Sequence, residues 1–146
     1  MNLYLTIIGG VFISLLTIQN SFGQTYTRPV YEGRSISEIE ILKITINDKY
    51  TIVECEHTNQ YSSGWAAAMP NTFIRVSDEV TKYELIKTYK IPVFPKKHHY
   101  YKVGEKLRYK LYFPPINPSV KYLDIIEIEG SSKAFNFYRI KLKPIA

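Results

Sequence analysis

The sequence predicts an all-β fold, a two-sheet antiparallel sandwich of about seven strands, on three grounds. From Ser37 onward apolar residues recur with a period of two, Pro, Gly, Asn and Asp punctuate the chain at short intervals, and no stretch carries the periodicity of an amphipathic helix. A small β-barrel is the alternative way to close the same strands.

Ile39 and Ile41 share one parity and Ile44 and Ile46 the other, which predicts a first strand with a bulge near Leu42-Lys43, ended by a turn at Asn47-Asp48-Lys49. Tyr50 to His57 is the second strand, with Val53 and Cys55 on its inward side. A loop of Asn, Ser and Gly at 59–64 then leads to Trp65. This Trp is expected in the core, where Gly64 and Ala66-Ala67-Ala68 let a large ring pack closely; an exposed glycan or protein anchor is the alternative. Met69-Pro70 stops the alanines from continuing as a helix, and Thr72 to Val76 is the third strand.

Ser77 to Thr81 is a polar turn before the fourth strand, Lys82 to Ile91, which Pro92 and Pro95 break. The plainest strand is Glu105 to Phe113: Leu107, Tyr109, Leu111 and Phe113 alternate with Lys106, Arg108, Lys110 and Tyr112, giving one apolar and one largely cationic face. Pro114, Pro115 and Pro118 force a loop before Val120 to Ile128, and Gly130-Ser131-Ser132 separates that strand from Ala134 to Leu142. Seven strands so bounded fit a sandwich of immunoglobulin-like type without the Cys-Trp-Cys pattern of antibody domains.

Ahead of this domain, residues 1–23 contain no charged side chain, and an apolar stretch from Leu3 to Ile18 is followed by Gln19-Asn20. That is the layout of a secretory signal peptide, with Ser21 and Gly23 as the small residues before a cut at Gly23-Gln24, although the usual basic residue is missing. The apolar stretch, interrupted by Thr6, Gly9, Gly10, Ser14 and Thr17, falls short of the roughly 20 residues that span a bilayer, so no integral span is expected once the signal is removed. Residues 24–35, with Pro29 and Gly33 and no sustained period, read as a polar leader, and 36–146 as the sandwich domain. The expected location is outside the cytoplasm: periplasm, cell envelope or medium. One cysteine, Cys55, allows no internal disulfide, so stability must come from packing, to which 13 Tyr and 7 Phe are available.

Three segments of the C-terminal half, Leu111-Tyr112-Phe113-Pro114-Pro115, Leu123-Asp124-Ile125-Ile126-Glu127 and Ala134-Phe135-Asn136-Phe137-Tyr138-Arg139-Ile140-Lys141-Leu142, resemble an uncharacterised class of secreted immunoglobulin-like domains of Bacteroidota. The resemblance begins near Ile39 and takes in Tyr50-Thr51-Ile52-Val53 and Ile91-Pro92. It implies the fold and export, and carries no activity and no site residues.

Charge is unevenly spread: Lys82 to Leu111 holds nine Lys or Arg against Glu84 and Glu105, so this segment contains the whole excess of the chain's net +6. Within it Lys96, Lys97, His98, His99, Tyr100, Tyr101 and Lys102 interleave cations with aromatic rings on an expected loop, a composition suited to a polyanion whose sugars stack on tyrosines. Export makes nucleic acid an unsuitable partner and favours an anionic envelope polymer or a protein. The competing role for these lysines is to solubilise the surface and keep sheet edges apart.

Other combinations offer less. His57, His98 and His99 are the only histidines and would have to carry any hydrolytic or metal-dependent chemistry, yet adjacent residues of an extended segment point to opposite sides. Cys55 and His57 share a strand face too widely spaced for a thiolate and its base. Asp124 and Glu127 have opposite parity, which disfavours paired-carboxylate catalysis, and with Glu129 are expected to form ion pairs with the basic segment. No Gly-rich phosphate loop, nucleophile elbow or Cys-x-x-Cys is present. The expectation is a non-enzymatic binding or structural module with no cofactor and no metal, contacting its partner through Lys96 to Lys102.

Overall fold

In a computed structural model that describes residues 23–143, the chain forms twelve strands and, among the described residues, no helix. In chain order they are β1 (Gln24–Thr27), β2 (Tyr31–Arg34), β3 (Ile39–Ile46), β4 (Thr51–Thr58), β5 (Gly64–Ala66), β6 (Phe73–Val76), β7 (Tyr83–Glu84), β8 (Lys87–Tyr89), β9 (His98–Tyr100), β10 (Lys106–Phe113), β11 (Tyr122–Ile126) and β12 (Asn136–Lys141). Two antiparallel sheets have five strands each, in the orders β1-β3-β4-β10-β8 and β2-β12-β11-β6-β7, and β5 pairs with β9 alone. The expected signal peptide falls outside the described residues but for Gly23.

The period-two pattern places the core. Ile44, Val53 and Phe113 from the first sheet and Ile74, Leu123, Ile125, Phe137 and Ile140 from the second are fully buried within one apolar cluster, as expected of a sandwich. Burying each such side chain contributes about 1.5–3 kcal/mol. Cys55 belongs to the same cluster and is a free thiol whose pKa is driven up by burial. The β3–β4 register shifts between Ile41 and Lys43, which is the bulge that the parity switch predicts. Asn47 makes the turn between these strands, its Oδ1 accepting from the amides of Lys49 and Tyr50 at 2.9 and 2.8 Å.

Three segments differ from their sequence reading. The expected leader 24–35 is strand: β1 pairs β3 and β2 pairs β12, so the chain crosses from one sheet to the other at Arg28-Pro29-Val30. Its polar composition hid this, because an edge strand has one neighbour and covers little core. The expected strand 82–91 is divided between the sheets. The amide of Leu85 donates to Thr72 O beside the second sheet, and that of Ile86 to Tyr112 O in the first, both at 2.8 Å. Finally, the expected loop and core segments around Trp65 and Lys96–Lys102 form the β5–β9 pair, with Gly64 opposite Tyr100, Trp65 opposite His99 and Ala66 opposite His98.

A second bulge was not foreseen. Between Leu123 and Ile125 the β11–β12 register slips, with Tyr138 and Arg139 facing Asp124 and Arg139 at φ 50°. Asp124 Oδ1 accepts the displaced Arg139 amide at 2.9 Å and the Ser77 hydroxyl at 2.6 Å, while Oδ2 accepts Arg75 Nε at 3.1 Å. A carboxylate only 5% exposed is thereby fully bonded.

Candidate functional site

The β5–β9 pair is held to the body of the molecule at both ends. Asn59, buried at the start of the loop after β4, donates through Nδ2 to Tyr61 O at 2.7 Å and to Lys102 O at 2.8 Å. Its own carbonyl accepts the amide of Gly104, whose φ of 86° suits glycine. A side chain on Gly64 would collide with Asn59 Oδ1, so the close approach of β5 to this Asn demands glycine. On the other side Ala68 donates to Pro92 O and accepts from the Phe94 amide, at 2.8 and 2.9 Å, which brings the 92–94 segment alongside β5.

Alternation then divides the basic segment into two faces. Lys97, His99 and Tyr101 are exposed on one side together with Trp65, whereas Tyr100 is only 3% exposed. Trp65 is 45% exposed, so the core placement expected for it is wrong. Ala66 and Ala68 are the buried members of that segment, and Trp65, of opposite parity, is turned outward. The period-two rule applied to the alanines themselves would have found this. Phe94, which sequence reasoning passed over, lies 6.1 Å from Trp65 between ring centroids, and Lys97 Nζ sits 4.4 Å from the Trp65 centroid and 5.8 Å from that of Phe94. The outward face thus presents two rings with a cation lying across them. Lys96 and Lys102 are exposed at its ends.

The inward face brings two of the three histidines together. His57 Nδ1 and the Tyr100 hydroxyl are 2.7 Å apart, and the His98 ring stands edge-on to Tyr100 at 4.9 Å. Burial lowers the His57 pKa below 6.5; Glu38 opposes the shift and His98 adds to it. The Tyr100 hydroxyl is pushed up to about 12, by burial first and then by Glu105. His99 points away from this pair, on the Trp65 side. Among the described residues no three His, Cys, Asp or Glu side chains are grouped so as to hold a metal ion.

The remaining cations of the basic segment fall into two groups. Lys106 and Arg108 both reach Glu56, at 3.2 and 2.7 Å, and these two hydrogen bonds, Arg108's the stronger, keep that carboxyl below its ordinary range. Lys82, Lys87, Lys90 and Lys110 instead lie over aromatic rings. Lys87 Nζ is 4.9 Å from both Tyr50 and Tyr112, Lys82 is 4.6 Å from Phe73, and Lys90 and Lys110 approach Tyr89 at 5.5 and 5.9 Å. The acidic residues expected to pair with this segment do otherwise. Asp124 and Glu129 both bind Arg75, and Glu127 accepts the Phe135 amide.

Beneath β5, at one end of the sandwich, lies a cleft of about 170 Å³ bordered by Ile39, Trp65, Leu111 and Phe135, with His57, Thr72, Tyr109, Glu127 and Lys133 as its polar groups. Burial raises the Glu127 carboxyl above its usual range, partly offset by the Phe135 amide.

No protein-family model, curated protein or solved structure matches this chain. Function therefore has to be read from the chemistry of the site itself. Among the described residues no helix is long and apolar enough to cross a membrane.

Proposed function

We propose that this protein is an exported, non-enzymatic binding or structural module of the cell envelope, an immunoglobulin-like sandwich that holds an anionic polysaccharide on the outward face of the β5–β9 pair. One observation carries the reading: Lys97 lies across the exposed rings of Trp65 and Phe94, with His99 beside them. Sugar rings stack on exposed aromatic faces, and an ammonium next to such a ring meets the carboxylate of a uronate unit. A cation resting on a ring keeps its charge for a ligand, whereas one bonded to a carboxylate has it neutralised. Five of the nine cations between Lys82 and Leu111 rest on rings and two are bonded to Glu56. The uncharged, apolar N-terminal stretch supports export to the periplasm, the envelope or the medium, where such polymers occur.

The test is affinity electrophoresis through polygalacturonate over a salt series. Retardation should fade as salt rises. Trp65→Ala and Lys97→Glu should each weaken retention by about tenfold, which corresponds to about 1.4 kcal/mol. Lys49→Glu, the same charge change on the β3–β4 turn, should leave it unchanged. Equal losses for Lys49→Glu and Lys97→Glu would reduce the interaction to net charge, and no retardation of the wild type would remove the reading. Capture of a stoichiometric protein from envelope extract that withstands high salt would indicate a subunit of an assembly instead.

A further inference from the structure

We propose that the cleft beneath β5 binds a small primary amine with an apolar body about the size of a benzene ring, its ammonium seated on Glu127. This inference does not rest on the polysaccharide reading, which concerns the outward face of β5 and β9; Trp65 borders both, and the variants that test the cleft leave it unchanged. The run Ala66-Ala67-Ala68 makes the room: all three residues border the space, and Ala66 and Ala68, the buried pair, leave open what longer side chains would fill. At about 170 Å³ the space is close to the apolar cavity of about 150 Å³ that accommodates benzene. Ile39, Leu111 and Phe135 offer apolar surface on both sheets' sides, and Trp65 borders it next to β9.

The head group is set by the carboxylate. Glu127 Oε2 accepts the Phe135 amide at 2.7 Å, and among the described residues Oε1 has neither a hydrogen-bond donor nor an ion-pair partner. Within the strands Glu54 has Lys43, Glu56 has Lys106 and Arg108, and Asp124 has Arg75, whereas half-buried Glu127, like Glu38 and Glu105, has no cation among the described residues. A half-buried carboxylate left without a counter-charge is costly, and an ammonium carrying its own apolar body offsets that cost where water has been displaced. The raised Glu127 pKa agrees with this unpaired burial. His57 lines the same space, and in the tautomer whose Nδ1–H donates to the Tyr100 oxygen its Nε2, without a protein partner among the described residues, can accept a second hydrogen bond from the ammonium. Lys133 also borders the cleft, but its side chain is exposed and solvated.

Ligand-observed NMR titration of the protein with benzylamine, and with benzyl alcohol as the neutral counterpart of the same shape, tests the proposal. Benzylamine should bind about tenfold tighter than benzyl alcohol, about 1.4 kcal/mol. Glu127→Gln, which keeps an acceptor for the Phe135 amide, should abolish that preference and leave benzyl alcohol binding unchanged. Ala68→Leu should abolish both interactions by filling the cleft, with circular dichroism reporting that each variant is folded. Equal binding of the two probes by the wild type, a preference that survives Glu127→Gln, or no binding of benzylamine would each overturn the assignment.

Discussion

Two charged regions of this molecule treat their cations in opposite ways. Around the β11–β12 bulge Arg75 lies between Asp124 and Glu129, and Arg139 reaches Glu32 and Asp78, so arginine charge is balanced within the fold. Around β5 and β9, and along the β8 edge, lysine charge rests on Trp65, Phe94, Tyr89, Tyr50 and Tyr112. The difference follows from what each region must satisfy. The bulge displaces a backbone amide that a buried carboxylate has to accept, and that carboxylate then needs a guanidinium. None of the lysines that rest on these rings is bonded to a carboxylate among the described residues. Charge of the first kind holds strands together, and charge of the second kind remains open to a partner.

The largest expected effect separates the two most sharply. Asp124→Ala should lower stability by on the order of 3 kcal/mol, because Arg75, Ser77 and the Arg139 amide all lose their partner, and a urea midpoint measures it. A loss under about 1 kcal/mol would show that the bulge tolerates an unaccepted amide and would remove the contrast with the lysine regions. Gly64→Ala comes next, at about 1–2 kcal/mol, since the methyl displaces Asn59 from Tyr61 and Lys102. The same variant should loosen β5 against β9 and weaken polygalacturonate retention, so intact retention would show that the outward rings do not depend on that anchor.

A smaller contrast depends on pH. The folded-state pKa of His57 lies below its unfolded value of 6.5, so the unfolded chain takes up its proton first as the solution is acidified. The stability His57 contributes is complete above pH 6.5 and is lost as pH falls through the folded value. Glu127 acts in the other direction: with a folded pKa above 4.5, its contribution is complete below that pH and is lost as pH rises through the folded value. Denaturation midpoints between pH 4 and 7 should therefore rise less with pH for His57→Gln than for the wild type, and more for Glu127→Gln. Parallel curves would mean that neither side chain is desolvated as described. Smallest of all, Lys87→Ala and Arg108→Ala should each change stability by no more than about 0.5 kcal/mol, as exposed cation–ring and ion-pair contacts do. A loss above about 1 kcal/mol from Lys87→Ala would make its contact with Tyr50 and Tyr112 part of the scaffold.

Parity revealed the strands with a buried face. Ile39 to Ile46 with its bulge, the inward Val53 and Cys55, and the apolar side of Lys106–Phe113 all follow from alternation, since each places every second side chain in the common core. It was silent where a strand buries little, so β1 and β2 read as a leader. It misled where a continuous pattern conceals a change of sheet, as at Leu85-Ile86. The site was legible as composition and only partly as geometry: Lys97, His99 and Tyr101 are outward, Tyr100 is enclosed, and His98 belongs with His57. The size of the Trp65 ring points to the core, whereas the parity of its buried neighbours Ala66 and Ala68 turns it outward. Phe94 gave no local signal, as its place beside Trp65 depends on the Ala68 backbone contacts 26 residues away.

The solitary thiol has a practical consequence. Cys55 lies at the centre of the first sheet, opposite Ile41 on β3 and Tyr109 on β10, and is fully enclosed. With a paired strand on each side of it, Cys55 should meet an alkylating reagent only when the central strands part. The rate of modification in native buffer then times the global opening of the molecule, with the wild-type chain as its own probe.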